Sequence, residues 1–207
     1  MLKEKIYYLD FTLRKIHSLF GLVPLGLFIT EHMLINFSAL YGPQAYNQAV
    51  KILHSLPFLW MLEVFLIALP LTFHALWGIY IAWQARNNHL KYGYWRNWAF
   101  YLQRLTGLFV FFFVIYHVFS LKLNPDLSSL SMYEKVARQF TSLSGVIFYA
   151  MGLTAALFHF INGIWGFMVN WGILVGPKAQ KIWGYALVFI FFVINLAGLR
   201  MMGAFMP

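Results

Sequence analysis

Long apolar runs separated by short polar breaks dominate the chain. Five runs stand out, at about 17–38, 58–84, 98–121, 144–171 and 182–206. Each is long enough to cross a bilayer as a helix, which takes about 20 mostly apolar residues. The breaks carry turn formers: Tyr41-Gly42-Pro43, Ser55-Leu56-Pro57, Asn87-Asn88-His89, Asn124-Pro125-Asp126 and Gly176-Pro177. The longest connection, about 122–143, reads as a short polar surface helix. The pattern predicts an all-α integral membrane protein: one domain over 1–207 with five transmembrane helices, the first four forming a bundle. No soluble domain, linker or low-complexity tract is expected.

Charge orients this arrangement. One side carries nine Lys and Arg residues (Lys3, Lys5, Arg14, Lys15, Arg86, Lys91, Arg96, Lys178, Lys181) and the other five (Lys51, Lys122, Lys135, Arg138, Arg200). The richer side is expected in the cytoplasm, which puts the N-terminus inside and the C-terminus outside. Composition agrees: 61% of residues are hydrophobic, 10% are charged and the mean hydropathy is +0.69. That excludes a soluble globule, disorder and a disulfide scaffold. The net charge of +9 does not indicate nucleic acid, because the basic residues are dispersed between apolar runs. Without cysteine the chain has no disulfide, thiolate zinc site, iron–sulfur ligand or covalent c-type haem. No cleavable signal peptide is expected, since the first apolar run is too long for one.

Seven histidines occur, and four lie deep in apolar runs, one on each of the first four helices: His32, His74, His117 and His159. Ionisable groups in a membrane are costly and need partners. Unrelated core histidines would not fall one per helix at matched depths. Because the chain alternates direction, His32 and His117 lie in the outer half and His74 and His159 in the inner half. Helical rise separates the two levels by roughly 10–15 Å. Two imidazoles facing each other across a bundle suit six-coordinate haem iron. Zinc asks for three or four ligands, and neither pair has a carboxylate or cysteine beside it.

Other residues fit a flat, bulky cofactor. Gly145, Gly152, Gly163 and Gly166 share the face of His159, Gly78 that of His74 and Gly21 that of His32, although close helix packing also uses small residues. Pro24 and Pro70 should bend the first two helices. Arg14, His17, Ser18 and Arg104, at the inner helix ends, are candidate donors to haem propionates. Glu63 is turned into the bundle at the level of the outer pair, with Glu31 and His54 nearby. These three are the candidates for a quinone site and its proton transfer, with Glu63 expected to be buried. His17, His54 and His89 otherwise read as solvated interfacial residues.

Five strings, in order, carry a family resemblance: RKIHSLFGLVPLGLFITEH (14–32), HSLPFLWMLEVFLIALPLTFHALWGIYIA (54–82), YWRNWAFYLQRLTG (94–107), FHFINGIWGF (158–167) and WGILVGPKAQ (171–180). Together they resemble the cytochrome b558 membrane anchors of succinate:menaquinone reductases, the single-chain two-haem type related to fumarate reductase anchors. The resemblance implies two haems b, ligated by His32 with His117 and by His74 with His159. It implies a flavoprotein with covalent FAD and an iron–sulfur protein docked on the cytoplasmic face of a bacterial inner membrane, partly on the loop 86–97. Electrons would pass from succinate through those partners and both haems to menaquinone. The family often has an uncharged polar residue where Glu31 stands and a carboxylate where His54 stands. The alternatives are a fumarate reductase anchor running in reverse, and the cytochrome b subunit of a hydrogenase or formate dehydrogenase. A proton-relaying transporter and a haem-free anchor also compete.

Overall fold

A computed structural model describes residues 2–206, so Met1 and Pro207 lie outside the described residues. It is all helical, with no strand among those residues and five helices long and apolar enough to span a membrane. The first span is made of α1 (Leu2–Leu22) and α2 (Pro24–Phe37). The break between them falls at Pro24, which has no N–H and starts α2 at its first position. The second span contains α4 (Leu59–Leu62), a π-helical turn over Glu63–Ala68, and α5 (Leu69–Gln84). Pro70 cannot donate to the carbonyl one turn back, and the turn preceding it widens instead. The third, fourth and fifth spans are single helices: α6 (Trp95–Leu121), α8 (Leu143–Asn170) and α9 (Pro177–Gly203).

The packing is a ring of four with a fifth helix outside. α1 packs on α5 and α8, α6 on α8, and α9 on the outer side of α8. α6 and α5 touch far less, so a long gap runs between the second and third spans.

Two elements close the bundle end away from the N-terminus. One is α7 (Met132–Ala137), in the connection where a short surface helix is expected. The other, α3 (Pro43–His54), was not expected from sequence. There Gly42-Pro43 starts a helix rather than only breaking one: Gly42 takes φ +103 and Pro43 occupies the first helical position. α3 buries Tyr46 and Val50 against Val136, Phe140, Tyr149 and Phe205. Tyr133 ties this cap together, its backbone N–H donating to Asn47 Oδ1 (3.0 Å) and its hydroxyl to the Ala204 carbonyl (2.6 Å). Burial pushes the Tyr46 phenol up to about 12.

α7 is held by a capping box, in which Glu134 accepts from both the backbone N–H and the hydroxyl of Ser131 (2.8 Å each). These bonds, the hydroxyl's first, hold the Glu134 carboxyl below its usual range. A depressed folded value means that the cap's contribution is complete above the unfolded carboxylate value, about 4.3. It is lost as pH falls through the folded value. The protection of the α7 amides relative to their intrinsic exchange should therefore fall below about pH 4, and Glu134→Gln should show lower protection at neutral pH with little further loss in acid.

Candidate functional site

The four deep histidines meet in pairs across the ring. His32 on α2 faces His117 on α6 with ring centroids 5.9 Å apart and planes at 86°. His74 on α5 faces His159 on α8 at 6.1 Å and 89°. One pair thus spans each diagonal of the four-helix ring. The second pair lies nearer the N-terminus, since the His74 ring stacks on His17 of α1 (4.1 Å, 5°).

Backbone carbonyls orient the second pair. His74 Nδ1 lies 2.9 Å from the carbonyl of His17, and His159 Nδ1 lies 3.0 Å from that of Gln103. A carbonyl only accepts, so each Nδ1 is the protonated nitrogen and each Nε2 keeps a free lone pair. The first pair differs: His117 Nδ1 is buried with no hydrogen-bond partner among the described residues. Phenylalanines flank both of its rings, Phe28 beside His32 (5.4 Å) and Phe113 beside His117 (5.7 Å).

A cavity of about 2160 Å³ runs past both pairs. That is at least twice an ordinary ligand pocket of about 300–1,000 Å³. Leu76 and Leu108, both exposed, line it from α5 and α6, so it opens sideways through the gap between them. Arg14, His17, Ser18, Asn87 and Arg104 line it near the N-terminal end. Arg14 is paired with Asp10 (2.7 Å) and also donates to Gln84, Arg104 donates to Asn87, and Ser18 accepts from Trp171 (3.0 Å). Glu31, Glu63, His54, Lys122 and Lys135 line the capped end.

Several expectations change here. Glu63 reaches the cavity but is not buried: its side chain is 39% exposed and pairs with Lys122 across the gap (2.6 Å). The π-helical turn between Glu63 and His74 breaks the regular spacing from which burial was expected. Glu31 Oε1, by contrast, is buried with no hydrogen-bond partner among the described residues. His54 sits exposed at the end of α3. His17 is not a solvated edge residue but is stacked on His74, and His89 folds back on Tyr101 (4.1 Å). Gly21 faces the ring of His74, not that of His32, because the break at Pro24 shifts the helical phase. Of the glycines expected beside His159, Gly152 makes room for Phe113, Gly145 for the Gln139 backbone, and Gly163 for Gln103.

Sequence reasoning also missed a polar chain on the far side of His159. Arg96 lies over Trp165 (3.5 Å) and donates to Asn162 Oδ1 (3.4 Å). Asn162 donates to Gln103 Oε1 (2.7 Å), and Gln103 Nε2 donates to the His159 carbonyl (2.9 Å). The available signal was two polar residues inside apolar runs, Gln103 and Asn162, each needing a partner.

What can this donor set hold? Two imidazoles on opposite sides of one metal, each about 2 Å from it, have centroids about 6 Å apart, as both pairs do. Among the described residues no group of three or more His, Cys, Asp or Glu side chains is arranged around a metal. The pairs therefore suit a metal that brings its own equatorial donors.

A family model for succinate dehydrogenase/fumarate reductase transmembrane subunits matches residues 84–198. The succinate dehydrogenase cytochrome b558 subunit of Bacillus subtilis (strain 168) is 40% identical over 196 residues, covering 95% of this chain and 97% of the relative. The chain belongs to this transmembrane subunit family. The five apolar helices agree with a transmembrane subunit, and membership places the chain in a membrane as an anchor for an enzyme whose chemistry lies elsewhere.

Arg96, counted among the basic residues of the N-terminal side, is half-buried and packed on Trp165 rather than free at the surface. Arg96→Met should cost about 0.5–2 kcal/mol through loss of the contact with Trp165. A lower thermal midpoint of the purified protein would register that loss, and an unchanged midpoint would count against it.

Proposed function

We infer that the chain is the membrane-anchor and electron-transfer subunit of a succinate:menaquinone oxidoreductase, and that it holds two haems b. The observation that carries this reading is the pair of cross-bundle histidine contacts at the spacing of two axial ligands. His74 and His159 ligate the inner haem, His32 and His117 the outer. The relative's name supports succinate oxidation as the working direction. The Lys and Arg distribution supports a cytoplasmic N-terminus and an external C-terminus. A flavoprotein with FAD and an iron–sulfur protein then dock on the inner face, beside the loop 86–97, in a bacterial cytoplasmic membrane.

When bound, each haem supplies a one-electron redox centre. The chain's residues do the rest. Nε2 of each histidine would hold the haem iron, and at the inner level Nδ1–H donation to backbone carbonyls fixes the rings. Arg14, Ser18 and Arg104 line the cavity near the inner pair and would donate to the inner haem's carboxylates, Arg104 with a fork that matches a carboxylate. Apolar side chains along the cavity keep water from the path. Electrons enter at the N-terminal end and leave at the capped end to menaquinone.

Reducing a quinone takes two electrons and two protons. The capped end holds the titratable groups, Glu31, Glu63 and His54, and the inner pair has no carboxylate beside it. Glu63 is poised to pass protons because it is half exposed and its partner Lys122 reaches it from the facing helix. Protons from outside and electrons from inside make the reaction draw on the membrane potential, roughly 4–5 kcal/mol for two charges across about 100 mV.

Two sets of variants test this. His74→Ala or His159→Ala should remove the inner haem, and His32→Ala or His117→Ala the outer, read from the optical spectrum of the purified complex. Both haems at full occupancy in any of the four would refute the ligand assignment. Glu63→Gln should lower menaquinone reduction about 10²-fold while succinate still reduces both haems. Undiminished turnover would move the proton role to Glu31.

A further inference from the structure

The two inner histidines are held in the same way, twice. On α1, Gly21 stands four residues after His17; on α6, Gly107 stands four residues after Gln103. The carbonyls of His17 and Gln103 accept from His74 and His159. A Cβ at Gly21 would lie 2.5 Å from Cε1 and 3.0 Å from Nδ1 of His74; one at Gly107 would lie 2.7 Å and 3.1 Å from the same atoms of His159. Each ring therefore rests on bare backbone one turn beyond the carbonyl that holds it. The arrangement is reciprocal in one copy. Gly78, four after His74, leaves room for the His17 side chain (a Cβ would be 3.1 Å from Nε2), whereas a Cβ at Gly163, four after His159, would meet Gln103 Nε2 at an ordinary 3.5 Å.

The correspondence runs through both hairpins. His74, Gly78, Phe28 and His32 recur 85 positions later as His159, Gly163, Phe113 and His117, whereas His17 and Gly21 recur 86 later as Gln103 and Gly107. The offset changes by one between Gly21 and Phe28. That interval contains the break at Pro24, whereas α6 runs through the equivalent stretch unbroken. The extra residue is thus absorbed where the first span interrupts its helix. Beyond it, Phe28 and Phe113 stand four before His32 and His117 and pack beside their rings.

We propose that the first two and the last two helices of the ring are two copies of one histidine-presenting hairpin. In each copy a glycine and a backbone carbonyl one turn before it form a clasp that sets the ring angle of His74 or His159, and so how the pair would hold the inner haem. Gly21 and Gly107 are positioning residues, acting through His74 and His159, and Gly78 supports the first clasp through His17. The proposal rests on the assignment of those two histidines as ligands. A ring that shifts off its glycine loses its carbonyl bond, because the added methyl and the Nδ1–H compete for one place. General helix packing by small residues would instead loosen both haem levels alike.

The test uses the whole complex with all four histidines intact. Gly21→Ala and Gly107→Ala should each weaken inner-haem retention about 10–100-fold, the range for loss of a ligand's orienting partner. Whatever inner haem remains should show a shifted ferric low-spin EPR signal and midpoint potential, with the outer haem's signal unchanged. A wild-type inner signal in both variants, or equal loss of both haems, overturns the proposal. Should either variant fail to assemble, Gly78→Ala decides. Alone it should displace the His17 ring and shift the inner signal. Combined with His17→Ala, which removes that ring but keeps the carbonyl, it should return toward wild type. Failure of the double variant to recover overturns the clasp. His159→Ala retaining both haems would instead refute the ligand assignment, so the two failures are distinguishable.

Discussion

The hydrogen bond from a buried imidazole Nδ1 to a main-chain carbonyl on the next helix governs much of this structure. A histidine in an apolar bundle carries two nitrogens that need partners, and a useful ligand must satisfy one while leaving the other open. The carbonyls of His17 and Gln103 do this for His74 and His159. A helical carbonyl already accepts a bond from within its own helix, so a ring can share it only by lying almost on the backbone. That closeness requires glycine at the next turn, and it sets the distance between α1 and α5 and between α6 and α8. The remaining diagonal space is the cavity.

The five spans and the four paired histidines were legible in the sequence because both rest on strong, long-range regularities. A helical span must satisfy its own backbone hydrogen bonds in an apolar medium, which leaves a long apolar run in the sequence, and alternating direction converts residue number into depth. Face and phase were less legible. Glu63 was placed by counting along an unbroken helix, but a π-helical turn intervenes and its carboxylate meets Lys122 at a half-exposed position. Gly21 was assigned to the wrong histidine because Pro24 interrupts the count. α3 was overlooked because Gly-Pro marks both the end of one element and the start of the next. His17 lay at the edge of an apolar run, and nothing in its position announced that His74 stacks on it.

The two histidine levels are not equivalent. At the level nearer the N-terminus, Nδ1 is bonded on both rings, and the chain Arg96–Asn162–Gln103 braces one of the carbonyls involved. At the capped level, His117 Nδ1 has no partner among the described residues and aromatic rings replace polar bonds. Rings held only by packing turn more easily than rings tied to a backbone. The histidine rings are therefore tied more firmly at the N-terminal end than at the capped end.

Charge follows the same axis. Near the N-terminal end the cavity's charged lining is cationic, Arg14 paired with Asp10 and Arg104 bonded only to the neutral Asn87 among the described residues. Near the capped end carboxylates and lysines are mixed, with Glu63 bridged to Lys122 across the gap between two helices that otherwise barely touch. An ion pair that is half exposed contributes little to stability, because water competes for both partners. This one ties the second and third spans at the capped level, whereas the leucines that flank the sideways opening, Leu76 and Leu108, stand at the level of the second pair, two positions after His74 and one after Gly107. Among the described residues the cavity thus has lone cations and one short-range pair at its N-terminal end, and a cross-helix ion pair only at its capped end.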